Sequence, residues 1–531
     1  MRALILTIML TATLLSPHLL VDTSAHSEFE ESASIFVRPI PGLPRDFIRG
    51  VDASEAPWIL ELGGKYFDSG VEKHPLDILA EHGVNWIRLR VWNDPYTPEG
   101  IPYGGGNCDP ERITRFAVEV KRRGLKLLVN FHYSDWWADP GRQSKPKAWA
   151  NLSFTELVRA IYEWTYNTLN YMKSMGATPD IVQVGNEVNN GFLWPEGSTS
   201  NWEGFTVLLK SAIRAVRDAS PETKVAIHLA GVEVEFYEYF LSKLAASGVE
   251  FDIIGISYYP YYHGSLSRLR ELLRALSRRY PDKEIVILET AYAWTLSDAD
   301  GHPNIFGLRE HEITGGYKAS IQGQASYLRD LVELVYTETS GRGRGVFYFG
   351  ATWIPVKGAG WKTGEGNPWE NQALFDFNGN ALPSLRVFKL IYEGEHFEPK
   401  PLVLYEERPL VVTTLVNTKP ALPSTVLVVF TDHSIRPLAV KWPETPLYST
   451  PGVYELRGIV ENTGFQVTVL IIVKEGSATT TTSSLSGESS TAPSVVEKKP
   501  ASTVLAGAVI LLVAVLAWLI FRSSRVSRVA K

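Results

Sequence analysis

DIVQVGNEVNNGFLWPEG, residues 180–197, is the stretch around which the rest of the chain is arranged. Its apolar run, Ile181 to Val184, reads as a short, fully buried strand. The run stops at Gly185-Asn186-Glu187, so an amide and a carboxylate sit where a strand leaves the core. A loop rich in Asn, Gly and Trp follows, a composition suited to a sugar-binding rim. In a parallel barrel, active sites are built at that end of the strands. A carboxylate there, beside an amide that can hydrogen-bond it, is a candidate general acid/base. A glutamate in that position can equally cap a loop or pair with an arginine. A second use of the same design favours chemistry: EIVILETAY (284–292) is again an apolar strand, with Glu289 at its end and an aromatic loop after it.

Working outward, strand-like and helix-like runs alternate from Phe47 onward. The strands are predicted at 47–54, 85–92, 125–133, 180–187, 224–230, 252–260, 284–292 and 345–353. Between them, ERITRFAVEVKRRG (111–124) and TELVRAIYEWTYNTLNYMKSMG (155–176) carry apolar residues at helical spacing and end on glycine. Such alternation over about 350 residues predicts an α/β fold, a (β/α)8 TIM barrel spanning 46–396. A doubly wound open sheet is the alternative, weakened because no glycine-rich phosphate fingerprint follows the first strand. From 400 to 475 the runs become short and alternating, separated by Pro, Gly and Asn, which predicts a small antiparallel Ig-like β-sandwich.

The composition bounds the function. Of 531 residues, 45% are hydrophobic and 21% charged, enough to bury a large core. The net charge of −6 gives no reason to expect nucleic acid. The 15 Trp and 23 Tyr include many in predicted loops, where they suit stacking on sugar rings. Cys108 is the only cysteine, which excludes an intrachain disulfide. Residues 1–25 have the outline of a secretory signal peptide, with an uncleaved anchor as the alternative. Residues 476–502, rich in Ser and Thr, read as a flexible stalk. The segment 503–521, uncharged from Val504, would reach ~27 Å as a helix and is predicted to span a membrane. The basic tail 522–531 then lies in the cytoplasm and the bulk of the protein at the cell surface.

Residues 48–390 resemble glycoside hydrolase family 53, the endo-β-1,4-galactanases of clan A. The matching stretches include GVDAS, IRLRVWNDP, FHYSDWWADPGRQ, QVGNE, NGFLWPEG, ISYYP, ILETAYAWT, DADGHPNIFG, ATWIPV and ENQALFDFNGNALPSL, in that order. The segment after 400 resembles bacterial Ig-like domains. The family resemblance implies a retaining hydrolase with Glu187 as acid/base and Glu289 as nucleophile. Retention requires two such carboxyl groups, one protonated and one ionised. Arg90, at the end of the second strand, is expected to hold Glu289 ionised, unless it forms an ordinary structural ion pair. Asn186 and the cluster His132, Tyr133, Asp135 and Trp136 are expected to contact sugar, together with Trp353; one of the adjacent Trp136 and Trp137 is expected to pack the loop instead. Tyr258 is expected to hydrogen-bond near the nucleophile. His228 either belongs to the site or merely lines the barrel.

SDADGHPN (297–304) places Asp298, Asp300, His302 and Asn304 at alternate positions, a spacing that can wrap a hard cation with His302 giving its carbonyl. The resemblance implies a calcium site closed by Asn367 and Glu370; a solvated Asp-Gly turn is the alternative. Two departures from the family bear on specificity. Asn130 stands where members commonly have Asp, and Phe349-Gly350 where they usually have Trp-Glu, which removes an indole from the expected sugar floor. The expected activity is retaining endo-hydrolysis of β-1,4-galactan or a related plant polysaccharide. The rivals are a clan A glycosidase acting on another β-linked glycan and a non-catalytic surface glycan-binding protein.

Overall fold

Eight parallel strands close into a barrel in the computed structural model, which describes residues 35–406 and 408–475. They are β1 (Ile48–Asp52), β2 (Trp86–Val91), β3 (Lys126–Phe131), β4 (Ile181–Val184), β5 (Lys224–Ala230), β6 (Ile253–Ser257), β7 (Glu284–Thr290) and β8 (Gly343–Tyr348). Each pairs with its sequence neighbours, and β1 closes the ring against β8. Seven lie within the stretches predicted from the alternating pattern, the eighth begins at Gly343, two residues before the predicted 345, and the open-sheet alternative is excluded by closure.

The two-residue period of a strand explains what fills the barrel. On β2, Ile87, Leu89 and Val91 face the helices, while Trp86, Arg88 and Arg90 share the other side. Ile48, Leu128, Ile181, Ala226, Ile253, Val286, Leu288 and Phe347 form one buried apolar layer inside the barrel. Phe347 and Leu288 fit only because two facing positions are glycine. A Cβ on Gly50 would lie 2.2 Å from the Phe347 ring, and one on Gly255 would lie 2.2 Å from Leu288. Further along the strands the interior turns polar, with Asp52, Arg88, Asn130, Gln183, His228, Ser257 and Glu289 all buried. This polar layer is the base of the site.

The helices start and stop on local signals. Helix α1 (Pro110–Arg122) begins where the Asp109 side chain accepts from the Arg112 N–H, and Gly124 follows its end at φ +72°. Helix α2 (Phe154–Ser174) starts on a capping box between Ser153 and Glu156.

The C-terminal sheet domain has six strands: β9 (Pro401–Leu404), β10 (Leu410–Leu415), β11 (Thr425–Phe430), β12 (Ile435–Lys441), β13 (Gly452–Val460) and β14 (Gln466–Lys474). Their order is β9-β11-β12-β13-β14-β10. The expected all-antiparallel pairing fails at one place: β10 runs parallel to β14, from Leu410 opposite Val469 to Leu415 opposite Lys474. The domain docks on the barrel through specific bonds. The Tyr405 hydroxyl donates to the buried Glu312 at 2.7 Å, and the Ile435 N–H donates to the Gly316 carbonyl at 2.7 Å.

The expected signal peptide, the stalk 476–502, the spanning segment 503–521 and the basic tail lie outside the described residues. Among the described residues no helix is long and apolar enough to cross a membrane.

Candidate active site

Glu289 is the penultimate residue of β7, with 6% of its surface exposed. Its Oε1 accepts from the Arg88 guanidinium at 2.7 Å and its Oε2 from the Tyr259 hydroxyl at 2.9 Å. The arginine on the nucleophile candidate is therefore Arg88, not Arg90. Arg88 also donates to Asp52 Oδ2 at 2.7 Å, to Gln183 Oε1 and to Asn186 Oδ1. Arg90 instead pairs with Glu55 at 2.9 Å and Asp52 at 3.2 Å, and its guanidinium lies 4.4 Å from the Trp137 ring centre. Both arginines face inward, but the barrel staggers its strands, so the register sets Arg88 level with Asp52. Likewise the tyrosine on Glu289 is Tyr259, while the Tyr258 hydroxyl turns away to the Gly264 carbonyl at 2.7 Å.

Glu187 follows β4 with left-handed backbone, φ +47° and ψ +55°. Burial, then the nearby Glu289 charge, push its carboxyl up to about 8, against a hydrogen bond from Ser257 that lowers it. A carboxylic acid that stays protonated at neutral pH can donate a proton. Asn186 is buried with both amide ends used: Oδ1 accepts from Arg88, Asn130 and Gln183, and Nδ2 donates to the Ala138 carbonyl. Asn130 thus takes part in this network. His228 is fully buried against Gln183, Asn186 and Ser257, level with this network.

The third-strand cluster divides. His132 Nδ1 accepts from the Ala138 N–H at 3.1 Å, and its Nε2 is buried without a protein partner. Burial and the two arginines hold this imidazole neutral, well below its usual range, so Nε2 bears the proton. Trp136 is half-buried, with its indole N–H also unpartnered and Arg142 over its ring at 5.1 Å. Both can meet a sugar. Tyr133 cannot: it is buried among Phe131, Trp164 and Phe192, with its hydroxyl on Thr165. Asp135 fastens loops, accepting the N–H groups of Asp94 and Lys147. Trp353 is wholly buried, donates to the Ala359 carbonyl at 2.7 Å and stacks beneath Trp137 and Trp361, so it supports the rim. Trp137 and Trp361 lie face to face at 4.3 Å. Phe349 is buried against Trp137 and Trp369 and under Arg90. The Trp369 indole, supplied by the next loop, packs on both Phe349 and Tyr259. Arg88, Tyr259 and Trp369 were not singled out from the sequence. Arg88 and Tyr259 sit within two residues of ones that were, in IRLRVW and ISYYP.

Beside the mouth, carboxylate oxygens of Asp298, Asp300 and Glu370 come within 4.8 Å of one another. Burial and the two aspartates push the Glu370 carboxyl up to about 7. Its Oε2 and the Oδ1 of Asn304 are buried without protein partners. Hard oxygen donors left unsatisfied in this way fit a calcium-type cation. The Asn367 side chain does not join them: its Oδ1 accepts from Trp369 N–H and its Nδ2 donates to the Trp353 carbonyl. Only its backbone N–H reaches the cluster, on Asp300 at 2.6 Å. The His302 N–H donates to Asp300 Oδ1 at 2.9 Å, which places that residue on the turn.

The sequence matches the glycosyl hydrolase family 53 profile over residues 48–388 and the bacterial Ig-like domain (group 4) profile over 408–463. It is 34% identical over 405 residues to the endo-beta-1,4-galactanase of Bacillus subtilis (strain 168), covering 70% of this chain and 92% of that one. It is 34% identical over 360 residues to the arabinogalactan endo-beta-1,4-galactanase of Cellvibrio japonicus (strain Ueda107), covering 66% and 92%. The solved Ignisphaera aggregans GH53 catalytic domain superposes with a TM-score of 0.67 at 65% identity, over 68% of this chain and 100% of that one.

Proposed function

The chain belongs to glycosyl hydrolase family 53, and from that premise we propose that it is a retaining endo-β-1,4-galactanase in which Glu187 and Glu289 carry the chemistry. The observation behind the assignment is the difference between the two carboxyl groups. Glu289 receives charge-assisted bonds from Arg88 and a hydroxyl from Tyr259, which suits an anion that attacks carbon. Glu187, raised to about 8, keeps a proton to give.

In the first step Glu289 attacks the anomeric carbon as Glu187 protonates the departing glycosidic oxygen, and a glycosyl ester forms on Glu289. In the second, Glu187, now ionised, takes a proton from water, which attacks the same carbon and releases Glu289. His132 Nε2–H and the Trp136 indole offer donors and an apolar face to the sugar. No cofactor enters these steps.

We also propose that Asp298, Asp300, Glu370 and the Asn304 amide oxygen, with the His302 carbonyl, hold a structural calcium ion that ties the loops after β7 and β8 together. The Ig-like domain supports an extracellular or surface location, and anchoring through 503–521 belongs to the same proposal.

The test is hydrolysis of β-1,4-galactan followed by NMR at early times. Internal cleavage with β-configured new ends is the expected result. First-formed α ends, or release of single galactose units from a chain end only, would overturn the assignment.

A further inference from the structure

We propose that Gln143 and His228 are positioning residues for Glu187 that clamp its backbone, from the carbonyl side and the N–H side, in the left-handed conformation that aims its carboxyl into the barrel mouth. This rests on the acid/base assignment of Glu187 made above.

Along a strand, successive side chains point to opposite faces. Asn186 points inward, onto Arg88, Asn130 and Gln183. Strand parity would put Glu187 inward with Ile181 and Gln183 and Asn186 outward; once the left-handed Gly185 has turned Asn186 inward, an extended Glu187 would be carried to the helix layer. It shares the mouth with Asn186 because the chain leaves the β region at Gly185 (φ +78°) and again at Glu187 (φ +47°). Glycine adopts such a φ freely, whereas glutamate does so at a cost of roughly 1 kcal/mol or more and only where its surroundings over-determine it.

Those surroundings are specific. Gln143, 1% exposed, comes from the loop after β3. Its Nε2 donates to the carbonyls of Asn186 at 2.8 Å, Glu187 at 3.3 Å and Asp139 at 3.0 Å. The Gln143 backbone carbonyl accepts from the Trp194 N–H at 2.8 Å, and its side-chain Oε1 is buried without a protein partner. On the other side, the Glu187 N–H donates to His228 Nδ1 at 3.4 Å.

The network assigns the tautomer. Arg88, which can only donate, fixes Oε1 of Gln183, so the Gln183 Nε2 faces His228 Nδ1 at 2.9 Å. Nδ1 thus meets the N–H groups of Gln183 and Glu187, and because Asn186 Oδ1, 3.1 Å from it, already accepts from Arg88 and Asn130, the two donors leave Nδ1 without a hydrogen. The imidazole hydrogen is on Nε2, donated to Ser257 Oγ at 2.8 Å. Ser257 therefore keeps its own hydroxyl hydrogen to offer the Glu187 carboxyl, whose proton affinity it lowers. Backbone and carboxyl of one residue are held by one connected set of groups, none of which needs to touch the sugar.

The test uses Gln143→Glu, isosteric but without the amide donors, and reads kcat/KM on galactan and on an aryl β-galactobioside with a strongly acidic phenol as leaving group. Misplacing a proton donor penalises the poor leaving group. We expect a loss of about 10²-fold on galactan and a loss within about 10-fold on the aryl substrate. A merely structural role would depress both equally. Equal losses, or wild-type values on galactan, would overturn the clamp. If Gln143→Glu yields no cooperative melting transition, His228→Leu, which removes the acceptor for the Glu187 N–H, must show the same split or the proposal falls. Glu187→Gln is the reference. If it lacks the split, the acid/base assignment fails and the clamp with it; if it shows the split and the clamp variants do not, only the clamp fails.

Discussion

Arg88 donates to Glu289 at 2.7 Å from a side chain with no solvent exposure, while Arg90, two residues along the same strand, pairs with Glu55 and Asp52 instead. The pair shares Asp52, whose two oxygens take one guanidinium each. Arg88→Lys should lower kcat on galactan by about 10²–10³-fold, the scale for losing one donor onto a charged reacting group. Arg90→Met should act first on stability, since it leaves Glu55 without its buried partner, and should cost about 3–5 kcal/mol. Equal kinetic losses in the two variants, each measured with its melting curve, would contradict this division.

The adjacent tyrosines divide in the same manner. Tyr259→Phe removes the hydroxyl on Glu289 Oε2, and a bond to a charged group of about 1.5–3 kcal/mol should appear as a loss of about 10–100-fold in kcat/KM. Tyr258→Phe removes only a bond to the Gly264 carbonyl and should leave turnover within a few fold. Steady-state kinetics of both variants on galactan decide the matter.

The Glu187 carboxyl, raised to about 8, predicts where activity is lost on the alkaline side. The protonated form donates, so kcat/KM should fall as pH rises through about 8. Stability follows the same sign. A carboxyl whose folded value lies above its unfolded one binds its proton more tightly when folded. Its contribution is full below about 4.5 and is lost as pH rises to about 8. Glu187→Gln, which cannot ionise, should therefore melt higher than wild type at pH 9, with the difference closing by pH 4. A wild-type advantage at pH 9 would rule out a destabilising charge at this position.

Calcium bound at Asp298, Asp300 and Glu370 should stabilise the folded chain alone. At 100 times its dissociation constant the gain is ~2.7 kcal/mol. Chelation should lower the melting temperature, and Asp298→Ala combined with Asp300→Ala should abolish the response. Asn367→Ala should keep the response, because the Asn367 side chain is bonded to Trp353 and Trp369 rather than to the cluster. An unchanged melting curve in protein first shown to contain calcium would exclude a stabilising ion.

Much of this was legible in one dimension because barrel strands are local objects. The apolar runs 181–184 and 285–288 announce buried strands, and the residues just beyond them reach the mouth, so Glu187 and Glu289 could be named from the sequence. The motif resemblance then supplied their roles. The turn SDADGHPN likewise brought Asp298 and Asp300 together by spacing alone.

Tertiary structure decided which neighbour does what. Arg88 and Arg90 have the same inward parity, as the two-residue period requires, and only the stagger between strands settles which one stands level with Glu289. Tyr258 and Tyr259 follow the last residue of β6, where alternation ends and the chain direction sets the side. Glu187 shares the inward parity of Ile181 and Gln183, but the left-handed Gly185 breaks that period, and its backbone is held by hydrogen bonds from Gln143 and to His228, which lie 44 and 41 positions away in the chain. Strand period and turn chemistry are properties of a few consecutive residues and can be read from them. Height across a barrel and the closure of distant hydrogen bonds depend on how the whole sheet is sheared, which no local stretch encodes.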